Sequence, residues 1–266
     1  MIRCALVLCG AIWTSVAGAS ETSFDHRIWD QLLKQTVVVV SDGHTTQVDY
    51  AGAARQRSQL ERYLDQVASV QRPDFDRWSA SEQLALLINA YNAATVELVL
   101  TRYPAIRSIK DLGKLWQSPW QKPLVRLLGE KRSLDNIEQE LIRTSGRYND
   151  PRVHFALNCA SIGCPALRPE AYVASRLDQQ LEDQARMFLG DRSRNNLSQS
   201  TLQVSPIFKW YRSDFESGWR GITRLPDFLA QYASVLGLTP GELQRLQTGS
   251  IGISYLGYDW RLNARN

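Results

Sequence analysis

His154, Cys159 and Cys164 stand close together in Asp150-Pro-Arg-Val-His-Phe-Ala-Leu-Asn-Cys-Ala-Ser-Ile-Gly-Cys-Pro165, and they are the residue types from which a thiol site is built. A cysteine nucleophile needs an imidazole base within hydrogen-bond reach. On an extended strand His154 and Cys159 would lie about 16 Å apart and point to opposite faces. The chain must therefore reverse near Asn158, or the Ser-Ile-Gly-Cys-Pro turn must fold Cys164 back towards His154. A second chemistry is a Cys159–Cys164 disulfide. Four intervening residues that include Gly163 bring the two Cα atoms within about 6 Å, and so small a loop gains roughly 2 kcal/mol. A bonded cysteine is no nucleophile, so the two readings compete. The same three side chains could ligate a metal, but there is no second cysteine pair and no His-Glu-x-x-His, so no metal site is expected. Inert buried thiols are the fourth reading. The disulfide is the expectation carried forward, with thiol catalysis as its alternative.

Other templates are absent. There is no Gly-x-Ser-x-Gly elbow, no Gly-x-x-x-x-Gly-Lys phosphate cradle and no Gly-x-Gly-x-x-Gly, and no cofactor is expected. Carboxylates are plentiful (Glu138, Glu140, Asp178, Glu182), but without a fold they cannot be paired as acid and base. Trp116, Trp120, Trp210, Tyr211, Trp219, Tyr255, Tyr258 and Trp260 could line a cleft for a glycan or peptide.

The elements that must position these residues are uneven. The strongest helix runs from about 80 to 102, opened by the capping box Ser79-Ala-Ser-Glu82. Leu84, Leu87, Ile88, Tyr91, Thr95, Leu98 and Val99 make its core stripe and the other faces are hardly polar, which predicts a buried central helix. Its two amides, Asn89 and Asn92, then need partners. They either tie neighbouring loops to the core or face a pocket. Further helices are expected over 135–143, over 176–189, after Pro226 and after Thr239-Pro-Gly-Glu242. Strands are expected at Arg152–Asn158, Leu202–Ile207 and Ile251–Tyr255. A hairpin is expected from Thr36–Val40 and Thr45–Tyr50, with His44 solvated at its tip. The polar stretch Gly190–Asn196 reads as a surface loop. Helices and strands mix without a βαβ rhythm, so the expected class is α+β, one domain over residues 20–266 with a mixed or antiparallel sheet.

Composition bounds the rest. The chain has 266 residues, 44% hydrophobic and 22% charged, with a net charge of +4 and no dense basic run. That excludes disorder and coiled coil and gives no case for nucleic acid. Residues 1–19 combine Arg3, a short apolar run and Ala17-Gly18-Ala19, the pattern of a signal peptide cut after Ala19. The run is too short to span a bilayer. Leu8 before Cys9 argues against a lipoprotein. The protein is therefore expected to be periplasmic or secreted and soluble, with no membrane span and with Cys159 and Cys164 as its remaining cysteines.

Leu87-Ile-Asn-Ala-Tyr-Asn-Ala93, Leu134-Asp-Asn-Ile-Glu138, the Asp150–Pro165 block, Ser205-Pro-Ile-Phe-Lys-Trp-Tyr211 with Asp214-Phe215, and Tyr258-Asp-Trp-Arg-Leu-Asn263 resemble the domain-of-unknown-function 547 family. The resemblance extends over roughly Trp29 to Asn263 and implies an exported stand-alone domain, but no reaction. It marks Asn89, Asn92, Glu138, His154, Asn158, Cys159 and Cys164 as a shared polar site. The family often has a histidine directly after the Ile-Glu pair, where this chain has Gln139. A weaker analogy to papain- and transglutaminase-like proteins meets the difficulty that the buried helix holds no cysteine. Two functions follow as expectations. One is an envelope binding or scaffold domain stapled by Cys159–Cys164, its ligand a peptide, glycan or protein. The other is a cysteine-dependent acyl transferase or amide hydrolase that uses His154 with Cys159 or Cys164, oriented by Asn89, Asn92 or Glu138.

Overall fold

Ala80–Leu100 (α3) is the element around which the fold is arranged, and it forms for the reasons its sequence gives. Ser79 Oγ accepts from the Glu82 amide at 3.2 Å while the Glu82 carboxylate accepts from the Ser79 amide at 3.0 Å. Nearly every side chain from Gln83 to Leu100 is buried, as a helix apolar all round requires. It is the one helix among the described residues long and apolar enough to cross a bilayer, and 94% of that stretch is buried inside the protein. Its buried amides and Thr95 are partnered. Gln83 donates to the carbonyls of Phe75 and Trp78 and accepts from the Tyr148 hydroxyl. Thr95 turns its hydroxyl back onto Tyr91 O.

The computed structural model describes residues 24–40, 43–113 and 116–265. The signal peptide read from residues 1–19, with Cys4 and Cys9, lies outside them. The class is α+β in a single domain. Arg27–Thr36 (α1) leads into a hairpin of β1 (Val37–Val40) and β2 (Thr45–Val48), and Arg57–Ser69 (α2) precedes the central helix. Val125–Leu127 (β3) and Glu130–Arg132 (β4) form a second antiparallel hairpin. The third sheet is mixed. Asn196–Ser198 (β5) runs antiparallel to Thr201–Val204 (β6), and β6 runs parallel to Gly252–Tyr255 (β7). Leu177–Gly190 (α4), Leu225–Gln231 (α5) and Pro240–Gln247 (α6) complete the longer helices. Thr239 caps α6 through a box with Glu242, as its sequence predicts.

Two hydrophobic cores meet at residues 151–157. The first gathers around α3 and takes in Val153 and Leu157; the second is rich in phenylalanine and takes in Phe155, Phe188, Phe208, Phe215 and Phe228. The expected strand at Arg152–Asn158 is not formed. Pro151–Phe155 is a 3-10 turn. Pro151 suits its first position, and Asp150 Oδ1 accepts from the Arg152 amide at 3.0 Å, so the turn is capped at its start. Val153 and Phe155 read as strand alternation because both are buried, but they enter different cores. Arg152, only 2% exposed, is held by Asp150 and by Asp178 and Glu182 of α4, with the Trp219 ring 5.0 Å from its guanidinium carbon. A buried charge persists only when it is paired in this way.

Three smaller expectations are corrected. His44 is half-buried rather than solvated, and its ring lies so close to Gly190 that a Cβ there would meet its Cε1 at 2.6 Å. The stretch Gly190–Asn196 is tied down as well as exposed: Asn195 is fully buried and donates to Phe188 O at 2.7 Å. The strand expected over Leu202–Ile207 stops at Val204, because Ile207 starts the short helix Ile207–Trp210.

Asn89 and Asn92 tie loops to the core. Asn89 donates to Tyr172 O at 2.7 Å and accepts from Tyr172 N at 3.0 Å. Asn92 donates to Ala156 O at 2.9 Å and accepts from Asn158 N at 2.9 Å. Each amide thus satisfies two buried peptide groups, and each group left unmade costs about 1–3 kcal/mol. Asn89→Ala and Asn92→Ala are each expected to lower the unfolding free energy in urea by roughly 2–4 kcal/mol. Only Asn92→Ala should also change the alkylation rate of Cys159 in the folded protein.

Candidate functional site

Residues 156–166 run beside the central helix without regular structure, buried except at Cys159 and Ile162. Asn158 organises the turn that presents Cys159. Its Oδ1 accepts from Ala160 N at 2.9 Å and its Nδ2 donates to Pro165 O at 2.7 Å. Ala160 takes up a left-handed conformation, φ 60°, which costs a non-glycine residue about 1–2 kcal/mol and is characteristic of sites that re-aim a side chain. The segment 259–263 closes over the loop: Ile162 N and Gly163 N each donate at 2.8 Å, to Arg261 O and Asp259 O, and Asn263 N donates to Ala160 O at 3.1 Å. A Cβ on Gly163 would stand 2.9 Å from Asp259 N, so the close approach itself requires glycine.

The expected disulfide is not formed. Cys159 and Cys164 are free thiols, and Cys164 Sγ accepts from the Cys159 amide at 2.8 Å. The sulfur of Cys164 is thus directed at its partner's backbone, and the loop is tightened by hydrogen bonds instead of a covalent link. Cys159 Sγ lies 3.1 Å from Ser161 Oγ and 3.2 Å from the Tyr258 hydroxyl. The hydrogen bond from Cys164 is the largest influence on the Cys159 thiol. It outweighs burial and, with Ser161 and Tyr258, pulls that thiol down to about 7. Burial, and then the same contact with Cys159, pushes Cys164 well up. Of the two sulfurs, Cys159 carries the thiolate character.

The 3-10 turn directs His154 into the same cavity. Its side chain is 2% exposed, and Nε2 lies 2.8 Å from Asp214 Oδ2. The ring stacks on Tyr211 with centroids 3.9 Å apart. Asp214, on the short helix Arg212–Phe215, is gripped by Arg143 through Nε at 2.6 Å and Nη2 at 2.8 Å. Burial pushes the Asp214 carboxyl upwards, but the bonds from Arg143 and His154 overcome it and hold the group ionised, well below the usual carboxylate range. Arg143 also donates to Gln139 Oε1. Both belong to Asn136–Arg143, which is a π-helix rather than the α-helix expected over 135–143; Thr144 N bonds Gln139 O, five residues back, at 2.9 Å. Such widened turns are frequent at functional sites. This one turns Glu138 inwards, beside the Tyr211 hydroxyl, and burial followed by that carboxylate pushes the Tyr211 phenol far up.

The resulting cavity, about 190 Å³, is lined by His154, Cys159, Cys164, Glu138 and Gln139 among others, with Trp120, Trp210, Tyr211, Tyr258 and Trp260 as aromatic wall. Of the residues marked as a shared polar site, Glu138, His154, Cys159 and Cys164 meet here. Asn89, Asn92 and Asn158 do not line it and act as clamps on the surrounding backbone. Trp116 and Trp219 lie elsewhere, the former 91% exposed and the latter packed on Arg152. Among the described residues no group of three or more His, Cys, Asp or Glu side chains is arranged to hold a metal ion.

Asp214, Arg143, Ser161 and the sulfur contact of Tyr258 escaped the residue-by-residue reading. Asp214 lies 60 positions beyond His154, and no local pattern joins a carboxylate to an imidazole across that span. The available signal was the Trp210-Tyr211…Asp214-Phe215 block, which brings aromatic and acidic residues together.

The family resemblance is borne out over residues 75–189, which match the family described as protein of unknown function, DUF547. The match is narrower than the resemblance. It holds Glu138, His154 and both thiols, while Tyr211, Asp214, Tyr258 and Trp260 lie beyond it. No curated protein and no solved structure shows significant similarity to the chain.

Native-state alkylation of Cys159 with iodoacetamide is expected to rise with pH through about 7, since the thiolate is the reactive form. In Cys164→Ala the midpoint should move up to about 8–9, the ordinary thiol range. An unchanged midpoint would show that Cys164 does not stabilise the thiolate.

Proposed function

We propose, for a chain that carries the DUF547 domain in residues 75–189, cysteine-dependent acyl transfer or amide hydrolysis, with Cys159 as nucleophile and His154 as base. The observation that carries it is the convergence of the Cys159 sulfur and an Asp214-bound imidazole on one cavity. A nucleophile, a base and a third group that orients the base are the general pattern of activated-thiol sites. Because Nε2 of His154 faces Asp214, Nδ1 is the nitrogen left for the reaction.

In the acylation step the Cys159 proton passes to His154 and the sulfur adds to the carbonyl carbon of the substrate. The C–N bond then breaks, its electron pair leaves with nitrogen, and His154 returns the proton to the departing amine. A thioester on Cys159 remains. In the second step water, or an acceptor amine, gives a proton to His154 and adds to the thioester carbon. The C–S bond breaks and the sulfur takes back the proton, so the enzyme is restored. Asp214 keeps the imidazole in one orientation and steadies the imidazolium formed on the way. Export, read from residues 1–19, would make the substrate a peptide or other cell-envelope amide.

The alternative, a binding domain without turnover, keeps the aromatic wall but loses the disulfide staple it was built on. Incubation with p-nitrophenyl acetate separates the two. Acyl-transfer chemistry predicts a burst of p-nitrophenol and one acetyl group mapped to Cys159, both absent in Cys159→Ala. Asp214→Asn should slow the acylation by roughly 10²–10⁴-fold with the fold retained. Acetyl groups scattered over lysines, or labelling unaffected by Cys159→Ala, would overturn the mechanism in favour of binding alone.

A further inference from the structure

Glu138 lines the cavity, and the acyl-transfer chemistry has no use for it. It is 6% exposed. Among the described residues no arginine, lysine or histidine forms an ion pair with it; Arg143 on the same helix and His154 both direct their ion pairs to Asp214. A carboxylate taken out of water without a cation is costly. Asp135 lines the same space, and among the described residues no lysine or arginine does. Arg143 turns its ion pair to Asp214, so Glu138 and Asp135 are left as the carboxyl groups available to a cationic ligand in this cavity.

Around this carboxylate stands a wall of rings in mutual contact. Trp210 lies 4.9 Å from Tyr258, and Trp260 lies 4.5 Å from Tyr258 and 5.9 Å from Trp210, centroid to centroid. The faces of tryptophan and tyrosine attract cations, most strongly where water is excluded. Lys110, which does not line the cavity, already sets its ammonium 3.6 Å from the Trp260 ring centroid. The volume, about 190 Å³, is close to the ~150 Å³ that admits a single benzene ring. It suits one compact head group.

We infer that the cavity beside Cys159 takes up an ammonium group, a primary or quaternary alkylamine seated among the Trp210, Tyr258 and Trp260 rings against Glu138. Placed beside the nucleophile, such a group belongs to the substrate, and this assignment deepens the acyl-transfer reading and rests on it. The substrates selected are amides or peptides with an aminoalkyl or trimethylammonium group near the bond that is cleaved, and those with a carboxylate at that place are disfavoured.

The test uses the full chain as Cys159→Ala, so that no thiol chemistry contributes, at constant ionic strength. Tryptophan fluorescence is titrated with choline, with the alcohol in which a tert-butyl group replaces trimethylammonium, and with the carboxylate bearing that same tert-butyl group. Choline is expected to bind at least about tenfold tighter than the neutral alcohol, and the carboxylate more weakly than either. Glu138→Gln should abolish the preference for choline while the alcohol still binds. If that variant does not fold, the choline-to-alcohol ratio in the Glu138 protein decides alone. Equal binding of choline and alcohol, or tightest binding of the carboxylate, would overturn the inference. A choline preference with no acetyl thioester on Cys159 would remove the catalytic reading and leave the ammonium site standing. The thioester without the preference would do the reverse.

Discussion

The structure depends on a stretch of buried backbone that has no helix or strand of its own. Peptide groups in such a stretch still require partners, and in residues 155–173 side-chain amides supply many of them. Asn92 holds Ala156 and Asn158. Asn158 holds Ala160 and Pro165. Gln184 donates to Phe155 O and Ala166 O, and Gln180 closes Ala171 and Val173. An amide can donate and accept at once and so stands in for a neighbouring strand. The central helix and α4 act as the two sides of a frame into which irregular chain is fastened. A strand would have alternated its side chains between two faces, whereas this path sends Val153, His154 and Phe155 in three directions.

The charges follow the same geography. Buried Arg152 is surrounded by three carboxylates, and half-buried Arg143 by Asp214 and Gln139. Both clusters lie along the line where the two cores meet and fasten the 3-10 turn to α4 and to the helix of Asp214. The thiols are handled differently. Among the described residues no cation contacts Cys159; its sulfur is surrounded by Cys164, Ser161 and Tyr258. Hydrogen bonding can stabilise a thiolate without a formal counter-charge.

What the sequence made legible were the elements governed by local rules. The capping boxes at Ser79 and Thr239, the core stripe of α4 and the fully apolar central helix all stand where their residues place them. The α+β class followed from the same signals. The failures have a common physical origin. At Pro151–Phe155 the pattern of burial looked like a strand because two separate cores, rather than one, receive the apolar side chains. At 135–143 an opening Asp135 with Glu138 three residues on could not distinguish α from π winding, and the π-helix buries Ile137 and Ile142. The Cys159–Cys164 spacing fits a disulfide as well as it fits a hydrogen-bonded pair of thiols. The partners of His154 and Cys159, Asp214 and Tyr258, come from distant chain and are chosen by packing, which no short motif records.

The closure of residues 259–263 over the thiol loop has a bearing on when the site comes into being. Tyr258 follows Cys159 by 99 positions, so during synthesis the thiol emerges long before the hydroxyl that contacts its sulfur or the segment that clasps its turn. Until those residues arrive, the cysteine lacks the Tyr258 contact, one of those that pull its thiol down. The acidity of the thiol would thus mature with the fold.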